Sequence, residues 1–272
     1  NNSNEVLASL REAKSGIISR FARGFVDHRD PKLIEHTVEE LIRQRVYALC
    51  LGYEDLNDHD DLRHDPLLAV LVGKTDPAGQ DRAGRNHGKP LAGKSTLNRL
   101  ELTPVGADSE SRYQKIVARH SELEQAFVEI FIEQHTTPPR ELVFDLDATD
   151  DPVHGHQLGR FFQGYYREYC FLPLYIFCGS YPLCAKLRPA DIDASAGSLK
   201  LVQKLVARLR QEWPDVVITL RGDSGFCRDN LMSWCEANNV QFVFGLPKNK
   251  RLLKIIGREQ QDAKLAFEKS GQ

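Results

Sequence analysis

The densest polar run in the chain is DLDATDDPVHGH, Asp145 to His156, directly after the apolar residues Leu142, Val143 and Phe144. Period-two alternation places Asp145, Asp147 and Thr149 on one face of a strand, with Phe144, Leu146 and Ala148 on the other. Carboxylates leaving the end of a strand suit hard divalent cations, which take oxygen ligands. A second acid, Asp223, follows the mainly apolar stretch VVITLRGDSGF, where Gly222 and Gly225 allow close approach. If the two strands are neighbours in one sheet, Asp147 and Asp223 would share a metal. Two metals about 4 Å apart would activate a water or a 3′-hydroxyl and stabilise the leaving oxygen in phosphoryl transfer. The bland alternative is that these acids cap helices or turns, and this is the reading taken for Asp150 and Asp151. His154 and His156 would either assist a metal or phosphate or cap the turn after the strand.

The elements that must position these acids fall into two regions. Residues 1–140 carry helical periodicity: Leu7, Leu10, Lys14, Ile17, Ile18 and Phe21 form one stripe, and Leu33 to Leu49 a cleaner one ending at Gly52. A short apolar piece, 67–72, precedes a Gly-, Pro- and charge-rich loop at 73–93. Ser95 or Thr96 would cap a short helix, and residues 109–134 read as one long amphipathic helix. After Pro139 the pattern becomes strands at 142–148 and 161–166, then a hairpin over 172–177 and 183–187. A helix over 198–213, a strand at 216–220, a helix over 229–238 and a strand at 241–246 complete the order. This predicts an α/β fold with a mixed sheet after an all-helical N-terminal domain, divided as 1–140 and 141–272.

Composition narrows the classes. The apolar run at 169–178 is far short of the ~20 residues that span a bilayer. The six cysteines lack a C-x-x-C pair, which argues for free thiols in a reducing cytoplasm and against a zinc site. The net charge of −2 argues against a uniformly basic nucleic-acid binder, but charge is unevenly spread. Residues 74–99 and 186–210 each hold six basic residues against two acidic ones, enough for local phosphate contacts or for a solvated helix face. Lys248, Lys250, Arg251 and Lys254 would track a DNA backbone or line a solvated loop, while Phe226 and Trp234 read as core. The only Met is Met232, so the natural start is expected upstream of residue 1.

DLDATDDPVHGHQ, KLRPADIDASAG and LRGDSGF, in this order, resemble the catalytic core of bacterial insertion-sequence transposases of the DDE group 1 family. QRVYALCLGYEDLNDHDDLRHDP and LAGKSTLNRLE resemble its upstream region, so the likeness runs from about residue 20 to 250. It implies an RNase H-like fold, an Asp-Asp-Glu triad, and Mg²⁺- or Mn²⁺-dependent strand cleavage and transfer at element ends. Asp147 would be the first acid, with Asp145 as fallback, and Asp223 the second. The expected partner is double-stranded DNA, as terminal inverted repeats and target, bound by a homodimer and contacted by Lys94, Arg99, Lys186, Arg188, Lys248 and Lys250. The family's Glu helix has no counterpart after Pro247: Glu259 and Glu268 are the only later Glu residues, so the third acid is expected beyond Gln272.

Three rivals compete. Gly88 to Ser95 fits the P-loop pattern G-x-x-x-x-G-K-[ST] but lacks the strand that must precede it. VFDLDAT also fits a haloacid-dehalogenase-type phosphatase, with Asp145 as nucleophile and Asp147 as general acid. That fold requires parallel strands joined by helices where residues 160–188 read as hairpins. The third is a non-catalytic DNA-binding remnant, acting as a repressor or inert.

Overall fold

The structure is a computed structural model describing residues 16–153, 155–246 and 249–270. Leu7, Leu10 and Lys14 of the expected first stripe, His154 and Lys248 lie outside the described residues. Contacts divide the chain into two compact units, Asn1–Ile130 and Phe131–Gln272.

In the first unit, helix α1 (Ile17–Arg23) leads into strand β1 (Phe25–Asp27), and α2 (Val38–Cys50) follows. α2 starts where it does because Thr37 and Glu40 form a reciprocal capping box, with Glu39 and Glu40 favouring the positive end of the helix dipole. Its apolar stripe serves two clusters. Tyr47 and Ala48 pack with Leu62, Leu68, Val72 and Leu91, whereas Leu41 packs with Leu97, Leu100 and Ile116. Apart from Leu91 and Ile116, those partners come from the short α3 (His59–Leu62), α4 (Pro66–Val72) and α5 (Lys94–Glu101). The piece at 67–72 is helical because Asp65 accepts from the amides of Leu67 and Leu68, Pro66 fits the first turn, and Gly73 closes it at φ 97°.

The single long helix expected over 109–134 does not form. Asp108 captures the amides of Glu110 and Ser111 in a turn, and β2 (Ile116–Ala118) pairs antiparallel with β1. Only then does α6 (His120–Glu133) begin. Ile116 and Val117 are buried in this two-stranded ribbon, so tertiary pairing overrides a helical period.

A buried polar network fixes residues 91–93. The Gln44 side chain donates to the Ala92 carbonyl (2.8 Å), accepts from the Ala92 amide (3.0 Å) and contacts His59 Nδ1 (3.0 Å). The Leu91 amide donates to the Arg63 carbonyl and the Lys94 amide to Asp60. These amides face inward, and Leu91 and Ala92 are core, so the stretch that matches a P-loop has no free amide cradle for phosphates.

The second unit is built on a five-stranded sheet ordered β10-β9-β3-β7-β8. β3 (Glu141–Ala148) is central, β7 (Leu174–Cys178) and β8 (Tyr181–Lys186) form an antiparallel hairpin on one side, and β9 (Val217–Gly222) and β10 (Gln241–Phe244) run parallel on the other. α7 (Ser198–Glu212) connects β8 to β9, and α8 (Asp229–Ala237) connects β9 to β10. This is the RNase H-like arrangement. Leu142, Phe144 and Leu146 of β3, Ile218 and Leu220 of β9, and the α7 stripe Leu201, Val202, Leu205, Val206 and Leu209 are all buried. Each such side chain contributes about 1.5–3 kcal/mol by leaving water. The strand expected at 161–166 is shorter and lies elsewhere: β4 (Asp151–Pro152), β6 (Glu168–Phe171) and β5 (Phe161–Gln163) make a separate three-stranded sheet. α9 (Lys250–Ile255) and α10 (Gly257–Ser270) end the described chain.

Two outcomes are expected. Gln44→Leu strands three buried polar groups, each costing about 1–3 kcal/mol, so the urea midpoint should fall steeply with an unchanged m-value. A loss below about 1 kcal/mol would overturn the network's role. Burial, reinforced by the nearby cations, pushes His36 down to about 3, and burial pushes His59 down to about 4, both from 6.5. Both are neutral when folded and protonate more readily when unfolded, so stability is complete above pH 6.5 and falls as pH drops towards 4. At about pH 5.5 the penalty is about 1.4 kcal/mol for each histidine. A melting temperature flat between about pH 6.5 and 5 would contradict this.

Candidate active site

β3 and β9 pair in parallel with a fixed register: Phe144 lies opposite Leu220, Asp145 opposite Arg221 and Leu146 opposite Gly222. Asp147 is the next residue of β3, and Asp223 is the first residue after β9, so both acids follow the last paired step at the carboxyl ends. Alternation puts Asp145, Asp147 and Arg221 on one face, opposite the buried face of Phe144, Leu146 and Leu220, and Asp223 follows directly after β9. Asp147 and Asp223 therefore continue two neighbouring strands at the same end of the sheet.

Asp145 sits one step further back on the same face, with its charge already matched. Arg221 binds it through both guanidinium edges, Nε to Oδ1 and Nη2 to Oδ2 at 2.8 Å. Asp147 is exposed, and no hydrogen bond or ion pair engages its carboxylate among the described residues. Sequence reasoning missed Arg221, although its position inside LRGD, two residues before the acid, is the signal that would have found it.

Asp223 is held by the turn that follows β9. Its Oδ1 accepts from the Gly225 amide at 2.8 Å, the Phe226 amide donates to the Asp223 carbonyl, and the fully buried Phe226 ring anchors the turn. Gly225 leaves room for the carboxylate: a Cβ there would lie 2.9 Å from Asp223 Oδ1 and 3.3 Å from the Ala194 Cβ, so the carboxylate would have to shift. At Gly222 a Cβ would meet the Phe226 ring at 3.1 Å. The turn is tied across to the 193–195 loop, where Arg228 pairs with Asp193 at 2.8 Å. The Ser195 hydroxyl, aided by Arg228, brings Asp193 down to about 2.

Two unneutralised carboxylates at adjacent strand ends are an oxygen donor set that fits Mg²⁺ or Mn²⁺. Among the described residues no group of three His, Cys, Asp or Glu side chains is arranged around a metal position. Glu259 and Glu268 lie on the exposed α10.

The expected DNA-contacting residues divide sharply. Arg188 is not on a DNA surface. It is 7% exposed, and its guanidinium donates to the carbonyls of Leu172, Ala194 and Ala196, so burial commits it to holding the 188–196 loop. Lys186 at the end of β8 and Lys250 at the start of α9 are exposed. Lys94 and Arg99 lie on α5, where Lys94 contacts Asp60 at 3.2 Å. The phosphatase alternative loses its geometry, because the β3–β7 neighbour pair is antiparallel and its nucleophile, Asp145, is clamped by Arg221.

Comparison with known proteins follows this geometry. The family described as Transposase DDE domain group 1 matches residues 3–272. Among curated proteins none matches the chain. The chain is similar to a solved piggyBac transposase synaptic complex with hairpin DNA, at 15% identity and TM-score 0.41, covering 91% of this chain and 52% of that one. It is also similar to a Mos1 transposase paired-end complex with left transposon end, at 13% identity and TM-score 0.27, covering 69% of this chain and 55% of that one. The chain thus spans about half the length of these two solved proteins.

The turn gives a direct test. Gly225→Ala should cost about 1–3 kcal/mol by overpacking and displace the Asp223 carboxylate. Gly164→Ala, with nothing within 4 Å of its Cβ, should be near neutral. Equal urea midpoints for the two variants would refute the close-approach argument.

Proposed function

Because the chain belongs to the Transposase DDE domain group 1 family, we propose that it is the catalytic part of an enzyme cutting and joining DNA strands at the ends of a mobile element, with Asp147 as first acid and Asp223 as second. One observation supports this most: the parallel pair β3–β9 runs in register up to Leu146 and Gly222, the residues just before the two acids, while Asp145 is already paired with Arg221. Asp147 and Asp223 would hold Mg²⁺ or Mn²⁺. The bound ion supplies Lewis acidity for activating a water or 3′-hydroxyl and stabilising the leaving oxygen of a phosphodiester.

The chain's own residues do the rest. Asp147 is carried by a central strand whose opposite face is core, so its backbone cannot shift without disturbing Phe144 and Leu146. Asp223 is kept in orientation by the Gly225 amide and the Phe226 anchor. The Asp145–Arg221 pair leaves a balanced charge beside the two acids, which limits repulsion of an approaching phosphate. Exposed Lys186 and Lys250 would contact the DNA backbone. The substrate would be duplex DNA bearing the element's inverted repeats, bound by a homodimer. No helix among the described residues is long and apolar enough to cross a membrane.

Mn²⁺ titration followed by electron paramagnetic resonance separates the assignments. Asp147→Asn and Asp223→Asn should each weaken binding at least about tenfold, on the scale of losing a direct carboxylate ligand, and Asp145→Asn should leave it largely intact. Equal losses in all three variants would overturn the choice of Asp147. A wild-type protein that binds DNA but no Mn²⁺ would favour the non-catalytic remnant.

A further inference from the structure

The first unit carries two cavities along α5, apart from the acid site of the second unit. The larger, about 1050 Å³, opens between α5 and residues 104–114; its lining includes Lys94, Arg99, Arg112 and Tyr113 and no acidic residue. The smaller, about 500 Å³, is lined by Arg63, Arg85 and Lys89 around the buried, neutral His36, with Glu35 and Asp60 as its acidic residues. Ser95 and Arg99 line both, so the two cavities meet across the exposed edge of α5.

The charges along this edge sort into committed and uncommitted ones. Arg29 is paired with Asp27, Glu35 with Arg82, and Lys94 with Asp60. Among the described residues Arg85, Lys89, Arg99 and Arg112 have no acidic partner within ion-pair distance. Arg63 donates to Asn86 at 3.5 Å and lies near Asp60, and its buried Nε has no acceptor among the described residues. Tyr113 orders two of the cations: the Arg99 and Arg112 guanidinium carbons lie 5.4 and 4.9 Å from its ring centroid, and the ring is 56% exposed. A guanidinium held against a ring keeps its N–H edges free for a phosphate.

The distribution of the cations narrows the ligand. Arg85 and Lys89 line the smaller cavity, Arg112 the larger and Arg99 both, so the uncommitted cations extend over two adjoining cavities, which suits a row of anions over a single phosphate. α5 is about 12 Å long, and a DNA strand carries one phosphate per about 3.4 Å of axis, so its length spans about three to four phosphates.

We propose that α5 and its two flanking cavities form a track for the sugar–phosphate backbone of DNA, in which Arg85, Lys89, Arg99 and Arg112 neutralise successive phosphates and Tyr113 is the positioning residue for the two arginines. The track rests on the reading that DNA is the substrate and adds to it the place and charge count of the contact. Neither the ring nor Arg63, Arg85, Lys89 and Arg112 belongs to the acid site.

Fluorescence anisotropy of a labelled random-sequence duplex, titrated with the protein across a series of KCl concentrations, tests it. Removing four phosphate contacts lowers the steepness of log K against log salt by about 3–4, so the Arg85→Ala/Lys89→Ala/Arg99→Ala/Arg112→Ala variant should lose that much. Lys200→Ala, an exposed lysine on α7, should leave the slope unchanged. Tyr113→Ala should weaken binding several-fold, and Tyr113→Phe, which keeps the ring, should restore it. If the quadruple variant melts early, Arg99→Lys/Arg112→Lys serves instead: it keeps the charge, so the slope should hold while affinity drops. A wild-type slope in the quadruple variant, or Tyr113→Phe as weak as Tyr113→Ala, would overturn the track, as would a wild-type protein with no salt-dependent binding. Mn²⁺ binding at Asp147 and Asp223 is read on a separate signal, so failure of the acid site and failure of the track are told apart.

Discussion

The second unit depends on the register of one parallel strand pair. With β3 and β9 aligned so that Leu146 meets Gly222, Leu142, Phe144, Leu146, Ile218 and Leu220 fall on the buried face and every charge on the open one. A slip by one residue would drive Asp145 and Arg221 into the core and turn Phe144 and Leu220 out to water. The hydrophobic pattern therefore enforces the register, and the register delivers the chemistry. The same alignment sets Asp145 directly opposite Arg221, a favourable cross-strand charge pair, and leaves the next two carboxylates without a counter-charge.

The turn after β9 converts that alignment into a defined position for Asp223. Its backbone doubles back so tightly that a single methyl at Gly225 would collide with the carboxylate it supports. Phe226, buried immediately after, prevents the turn from relaxing outward. Arg228 and Asp193 then link the turn to a loop whose other side is braced by the buried Arg188. Two arginines in this region thus act on protein carbonyls and carboxylates, and basic charge near the acids is structural before it is available to a ligand.

Much of this was legible in the sequence, and the part that was not has identifiable causes. The strands around Asp147 and Asp223 and the helix at 198–212 show strong single-period patterns, because each buries one face against one core. The 109–134 stretch misled for a different reason: Tyr113, Ile116 and Val117 match a helical period, yet the pairing of β2 with β1 and the Asp108 turn win locally. β6 was lost inside the apolar run at 169–178, where two strands of different sheets adjoin without a polar break between them. Arg188 looked like a surface cation because charge in a sequence carries no sign of burial. Its three carbonyl partners come from 16 residues upstream and from 6 and 8 residues downstream, which no local pattern reveals.

The same sorting of charges explains how a chain of net charge −2 presents a basic edge at all. Within residues 74–99 the six cations do not act together. Lys74 is neutralised by Glu40 and Arg82 by Glu35, both from the start of α2 and the segment before it, and Lys94 is shared with Asp60. These pairs anchor the 73–93 loop to the helical core, assisted by the Gln44 network that fixes Ala92. What remains unmatched, Arg85, Lys89 and Arg99, is left along one edge because the pairing has consumed the rest, and Arg112 joins it from the 104–114 loop through Tyr113. Overall neutrality and a local basic track are therefore compatible: the acidic residues that balance the total are spent inside the unit, where they hold the loop that presents the cations.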